Sequence, residues 1–169
     1  MSLMHKLLTK IDNKLSIQEI SAHCDIPCKI YDPSSAQIAV LTMIRMVDLL
    51  KELEQKDTLS FNDQATFNRL VSEKEAHGIK VKEEVRVIWG DYIKQPQLDQ
   101  FPDLHSLVHK IMLATSYAKQ HIDREATVKL LELVNEFAEV FWQTKQLATY
   151  TVTCPYPPSE QVVYPDLRA

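Results

Sequence analysis

Two thiols and an imidazole fall within six residues near the start of this chain, at His23, Cys24 and Cys28. The flanking residues are polar, which weakens the interpretation that the cysteines fill a hydrophobic core. A disulfide-exchange motif has two residues between its cysteines, and here there are three. A structural zinc site needs four protein ligands, and the third cysteine, Cys154, stands alone in the sequence. Neither of these two sites fits, and packing in a core remains the competing interpretation.

The run His-Cys-Asp-Ile-Pro-Cys at 23–28, followed by Tyr31-Asp32-Pro33, resembles the nickel-binding hook of the nickel superoxide dismutases. The pattern of that family is His-Cys-x-x-Pro-Cys-x-x-Tyr at the mature N-terminus, ahead of an antiparallel four-helix bundle. Further similar segments lie at 89–92, 101–105 and 141–145. The resemblance therefore covers about residues 23–145.

The resemblance implies one nickel ion per subunit. Its ligands would be the Cys24 and Cys28 sulfurs, the Cys24 backbone amide, and the amine and ring of His23. Thiolates and a deprotonated amide donate enough charge to make Ni(III) reachable, and nitrogen and sulfur donors in one plane suit Ni(II). The implied reaction converts two superoxide anions and two protons into dioxygen and hydrogen peroxide through Ni(II)/Ni(III) cycling.

The ligand set also has a consequence for residues 1–22. His23 has a free amine only when the peptide bond to Ala22 is cut, so we expect 1–22 to be a propeptide that a maturation peptidase removes. It carries a net charge of +1, which leaves −5 on the other 147 residues. It lacks the apolar block of a secretory signal. This favours the cytoplasm, where thiols stay reduced before nickel binds.

The resemblance assigns Tyr31 and Tyr92 to the approach to the metal, where they order water, with Asp25 beside them. The family glutamate that hydrogen-bonds the hook imidazole falls at Ala39, and the arginine that pairs with it falls at His77. Because both partners are absent together, we expect a different support for the imidazole, with His77 as the candidate. A histidine satisfied on an apolar helix face is the competing interpretation.

The elements that must position these residues follow from the prolines. Two long stretches, 34–95 and 103–154, contain no proline, and each is interrupted once. Four amphipathic helices with short connections are typical of an antiparallel up-down four-helix bundle, so we predict an all-α fold. The expected divisions are the hook at 23–33, the bundle at 34–148 and an extended tail, rich in proline and tyrosine, at 149–169.

Helical spacing also predicts caps and core positions. Ser34 or Ser35 is expected to cap the first helix, and Asp123 the fourth. The apolar residues expected to share the inner faces are Ile38, Leu41, Ile44, Val47, Leu50 and Leu53; Val81, Val85, Ile88 and Tyr92; Leu104, Leu107, Val108, Ile111 and Met112; and Leu130, Val134, Phe137 and Phe141.

Composition excludes several other classes of protein. The 169 residues are 45% apolar and 25% charged, as in a globular domain rather than a disordered chain. With two glycines, the chain cannot supply a glycine-rich phosphate loop. A net charge of −4 argues against a nucleic-acid partner, and no apolar run reaches the roughly 20 residues of a membrane span.

The expected partners are therefore superoxide, the maturation peptidase and further copies of this chain, in the homohexamer that the resemblance implies. Two alternatives from other classes remain. One is a non-catalytic helical protein that binds nickel or copper through the same hook. The other is a helical interaction module in which the cysteines are incidental.

Overall fold

Helices account for most of the computed structural model, which describes residues 29–168. In chain order these are α1 (Ser34–Glu54), α2 (Phe61–Val87), a π-helical turn (Ile88–Tyr92), α3 (Gln95–Gln100), α4 (Leu104–Gln120) and α5 (Arg124–Thr144). Two strands follow, β1 (Thr149–Thr153) and β2 (Gln161–Pro165). The expectation of a mainly helical protein is confirmed. None of the helices in this described part is long and apolar enough to cross a bilayer.

Short polar side chains hold the N-terminal ends of α1, α2 and α5. The Ser60 hydroxyl accepts from the backbone N–H of Asp63, whose carboxylate accepts from the N–H of Ser60, a capping box that begins α2. The Asp123 carboxylate caps α5, as predicted. The expected serine cap of α1 is wrong, because the Asp32 carboxylate accepts from the N–H of Ser34 at 2.8 Å.

The core lies between the four long helices. α1 packs against α2 and α5, and α4 packs against the same two helices, so each long helix has two long neighbours. Most predicted inner positions are confirmed as buried, including Ile44, Val81, Ile111 and Phe137. Ile38 is an exception at 52% exposed. It lies about 200° around the helix from the buried Val40, which puts it on the outer side of α1.

A buried lysine closes the far end of α4. The Lys74 side chain is 1% exposed, and its ammonium donates to the carbonyl oxygens of Ala118 (2.7 Å), Lys119 and His121 (3.2 Å). These carbonyls lie where the last turn of the helix leaves acceptors unsatisfied and where the helix dipole favours a cation. Burial lowers the pKa of Lys74. The three carbonyl contacts supply the partners that a buried ammonium needs.

The C-terminal segment 149–169 contains a two-stranded hairpin, not only the extended tail that we predicted. The fold is therefore mainly helical rather than all-α. β1 and β2 pair antiparallel, with Thr151 opposite Val163. An isolated two-stranded hairpin is marginal in water. Here Cys154, Val162 and Val163 are buried at 2–3% exposure, so apolar packing stabilises the hairpin.

Two polar side chains connect the hairpin to the helices. Gln37 of α1 is 2% exposed and donates both to the side-chain oxygen of Asn135 and to the carbonyl of Val163, each at 2.9 Å. Asn135 of α5 donates to the carbonyl of Gln161 at 2.9 Å. These bonds satisfy a buried amide and fix the hairpin over the α1–α5 contact.

Candidate metal site and its surroundings

The hook residues His23, Cys24, Asp25 and Cys28 lie outside the described part of the chain. Between residues 29 and 168, no cluster of three or more histidine, cysteine, aspartate or glutamate side chains could hold a metal ion. The candidate ligands predicted from the sequence lie in segment 23–28. Two thiolates and an imidazole are a donor set that fits nickel.

The second part of the hook, residues 29–33, links the predicted ligand segment 23–28 to α1, and it begins in a left-handed backbone conformation. Lys29, directly after Cys28, has φ = 58°, which costs a non-glycine residue about 1 kcal/mol. Four residues later, the Pro33 carbonyl accepts from the N–H groups of Ala36 and Gln37, and α1 is under way. The predicted ligand segment 23–28 is thus joined to α1 through a short, turned connection.

Tyr31, in this connection, packs against Tyr92. Their ring centroids are 5.6 Å apart with an interplanar angle of 45°, and Tyr31 lies against the hydrophobic core. The structure therefore brings together the two tyrosines that the sequence assigned to the metal approach. Both residues are half-buried and pack against the hydrophobic core.

Tyr92 is presented by the π-helical turn. The N–H of Ile93 donates to the carbonyl of Ile88 at 3.1 Å, a five-residue step that widens the helix where α2 ends. Such π turns are rare and occur frequently at functional sites. The Tyr92 ring also contacts Phe141 of α5, at 5.0 Å between centroids. Tyr92 is therefore held between the hook connection and the end of α5.

Two residues at the end of α5 complete the surroundings of Tyr92. The Thr144 hydroxyl lies 2.7 Å from the Tyr92 hydroxyl. The Lys145 ammonium lies over the Tyr92 ring, 4.3 Å from its centroid and 5.6 Å from that of Phe141. Segment 141–145 resembles the family, but the sequence alone indicates no role for either residue. Only the fold shows that both touch Tyr92.

A second aromatic contact holds the same turn on its outer side. The indole N–H of Trp89 donates to Nδ1 of His105 at 3.0 Å, and the two rings meet edge-on at 5.6 Å. His105 is in the first turn of α4, so this bond ties the π turn to the next long helix. The donor direction places the proton of a neutral His105 on Nε2.

His77 lies elsewhere on the same helical run. It precedes Tyr92 by 15 positions, roughly 22 Å along a helix axis. Its Nδ1 is 2.8 Å from the carbonyl oxygen of Glu73 and 3.6 Å from the Glu73 carboxylate. Among the described residues, these are the contacts its imidazole makes, and its support of the hook stays a prediction.

The helical fold and the sequence of segment 23–28 together indicate one type of protein: a helical metalloenzyme whose candidate ligands precede the first long helix in the chain. Comparison with known proteins identifies that type. A family profile described as nickel-containing superoxide dismutase matches residues 18–145. The chain belongs to this family.

Individual relatives agree with the family profile. The chain is 33% identical over 129 residues to a nickel superoxide dismutase of Streptomyces seoulensis, covering 76% of this chain and 92% of the relative. It is 34% identical over 128 residues to the enzyme of the same name from Streptomyces coelicolor, covering 75% and 91%.

Solved structures show the same similarity. A native nickel superoxide dismutase structure is 31% identical with a TM-score of 0.63, and it covers 73% of this chain and 99% of that one. A structure described as having nickel ligation of the oxidised state gives a TM-score of 0.64 at 30% identity, with the same coverage. The family profile ends at 145, before the hairpin begins.

Proposed function

We propose that this chain is a nickel-dependent superoxide dismutase that becomes active after removal of residues 1–22. The reaction class and the cofactor follow from membership of the nickel-containing superoxide dismutases. The observation that carries the proposal is the packing of Tyr31, three residues after Cys28, on Tyr92, whose ring also lies under the Lys145 ammonium. Tyr31, which belongs to the sequence motif, thus contacts Tyr92, which belongs to the helical body.

The ligands in this proposal are the sulfurs of Cys24 and Cys28, the amide of Cys24, and the amine and imidazole of His23. Nickel bound there supplies a one-electron couple between the +2 and +3 states. The amine requirement means that the chain must begin at His23, so a peptidase cut after Ala22 is part of the proposal.

The described residues supply what a small anionic substrate needs. The Lys145 ammonium gives a local positive charge in a chain whose net charge is −4. Attraction of superoxide must be local for that reason. Tyr31 and Tyr92 narrow the approach and offer hydroxyl groups that order water, and Asp25 is expected beside them. Water held in this way can deliver the two protons that the reaction consumes.

The body of the enzyme is proposed to be the antiparallel four-helix bundle of the family. The support is the pairing of α1, α2, α4 and α5, each long helix against two others. Short connections join α1 to α2 and α4 to α5, whereas the π turn and α3 lie between α2 and α4. We also propose assembly into a homohexamer in the cytoplasm. The outer faces of the long helices carry Ile38, Ile79, Leu113 and Tyr117, all at least 45% exposed, which an assembly of copies would cover.

A combined measurement of metal and turnover tests the proposal. Protein beginning at His23 is loaded with nickel, and the bound metal and superoxide consumption are measured on the same sample. One nickel per chain with catalytic turnover is expected, and Cys24→Ser with Cys28→Ser should remove both. The double replacement Ser34→Ala with Ser35→Ala serves as the matched control. Stoichiometric nickel without turnover would instead identify a metal-binding protein that is not an enzyme.

A further inference from the structure

The hydroxyl of Thr144 lies between two oxygen atoms. It is 2.7 Å from the Tyr92 hydroxyl and 2.6 Å from the carbonyl oxygen of Phe141, three residues earlier on α5. Both distances are those of normal hydrogen bonds between oxygen atoms. Thr144 is half-buried at the last residue of α5, and the Tyr92 ring is held by Phe141, so the arrangement has little freedom to rotate.

Counting protons fixes the direction of both bonds. A carbonyl oxygen only accepts, and a threonine hydroxyl has a single proton. The proton of Thr144 must therefore point to the Phe141 carbonyl, because two oxygen lone pairs 2.6 Å apart would otherwise face each other. Thr144 then has only acceptor capacity left, and the bond between Tyr92 and Thr144 must use the proton of Tyr92.

We propose that Thr144 is a positioning residue that makes Tyr92 a hydrogen-bond acceptor on the side of the metal approach. Because Tyr92 donates its proton to Thr144, its phenol oxygen can only accept hydrogen bonds from other groups, including water in the metal approach. Tyr92 then orients a water molecule that donates to it, and that water, rather than the phenol, faces superoxide with its second proton. The catalytic part of this inference rests on the proposed function, whereas the bond direction does not.

The bond direction is tested on the full, metal-free chain by ultraviolet resonance Raman spectroscopy. The intensity ratio of the tyrosine Fermi doublet reports whether a phenol donates or accepts a hydrogen bond. Subtracting the spectrum of Tyr92→Phe isolates Tyr92 from the other tyrosines. A ratio typical of a phenol that donates while accepting from water is expected for the wild type, and a ratio typical of a pure acceptor would overturn the proposal. This comparison does not depend on any change at Thr144.

Three threonine variants add a second, independent reading. Thr144→Val keeps the shape but removes the acceptor of the donated bond, so the Tyr92 doublet should move toward the ratio of a phenol that only accepts. Thr144→Ser should restore the wild-type ratio. Thr42→Val is the matched control, since the Thr42 hydroxyl donates to the Ile38 carbonyl in the same way. An unchanged ratio in Thr144→Val would contradict the proposal.

Turnover tests the catalytic part in chains that begin at His23 and carry nickel. Thr144→Val is expected to lower kcat severalfold at unchanged nickel content and KM, with recovery in Thr144→Ser. Wild-type kcat in Thr144→Val would overturn this part. If the wild type binds nickel but consumes no superoxide, the proposed function fails, and the Raman result decides the bond direction separately.

Discussion

The ammonium nitrogen of Lys145 lies 4.3 Å from the centroid of the Tyr92 ring. Lys145 directly follows the last residue of α5. A cation is favoured there by the ring face and by the C-terminal end of the helix dipole. Because the chain as a whole is negative, the proposed function requires a local positive charge to attract superoxide, and Lys145 supplies one beside Tyr92. A unit charge about 8 Å from an anion in water is worth about 0.5 kcal/mol.

Replacing Lys145 by glutamine should therefore lower kcat/KM for superoxide about two- to threefold at low ionic strength. The loss should shrink as added salt shortens the range of the charge. Pulse radiolysis at several salt concentrations measures both quantities. Lys51→Gln is the control, since Lys51 pairs with Glu54 in the last turn of α1, at the end opposite to Tyr31. A loss that is the same at every salt concentration would contradict an electrostatic role.

The left-handed conformation of Lys29 predicts how the connection to the hook responds to substitution. Glycine adopts φ = 58° without steric cost, whereas a β-branched residue is strained there. In chains beginning at His23, Lys29→Gly should retain or tighten nickel binding and Lys29→Val should weaken it. About 1 kcal/mol separates each from the wild type, or roughly fivefold in the dissociation constant. Equal nickel affinities in competition with a chelator would show that the turn is not kept in the metal-bound protein.

How far the sequence predicts this fold depends on the range of the interactions. The helices depend on local interactions. Asp123 predicts the start of α5, and the spacing of Val81, Val85 and Ile88 predicts α2. The hairpin is not local. It depends on a hydrogen bond from Gln37 across 126 positions to Val163, and no short sequence window contains that bond.

Some residues of the candidate site are predictable from local sequence motifs, and others depend on the fold. The motif around Tyr31 and the match at Tyr92 predicted two residues that the fold brings together. Thr144 and Lys145 lie in a segment that resembles the family. Their contacts with Tyr92 depend on the end of α5 lying against the π turn, which the sequence does not show. The turn itself was not predicted, because a five-residue hydrogen-bond step leaves no signature in hydrophobic spacing.

The hairpin contact predicts a stability effect at Asn135. Asn135→Ala removes the acceptor of a buried amide of Gln37 and the donor to the carbonyl of Gln161. Loss of these bonds should lower the free energy of unfolding by about 1–3 kcal/mol, measured by urea titration. Asn68→Ala, on the exposed side of α2, is the matched control and should be close to neutral. Equal stabilities of the two variants would mean that the hairpin does not stay docked in solution.

The capping box of α2 predicts a pH dependence. Hydrogen bonds from Lys56 and Ser60 lower the pKa of Asp63 from 3.8 to about 2. The native state therefore favours the carboxylate, so its contribution to stability is present above pH 4 and is lost as the pH falls toward 2. Asp63→Asn should be less stable than the wild type at pH 7, and the difference should vanish near pH 2. A difference that is independent of pH would contradict the proposed role of the ionised cap.

The most direct test of the central claim compares three chains that differ only at their N-terminus. The first begins at His23, the second at Ala22 and the third at Met1, and each is incubated with nickel under reducing conditions. Bound nickel and superoxide consumption are then measured together. We predict one nickel per chain and turnover for the chain beginning at His23, and loss of turnover when a single alanine precedes it. Equal activity of the chain beginning at Met1 would contradict the account.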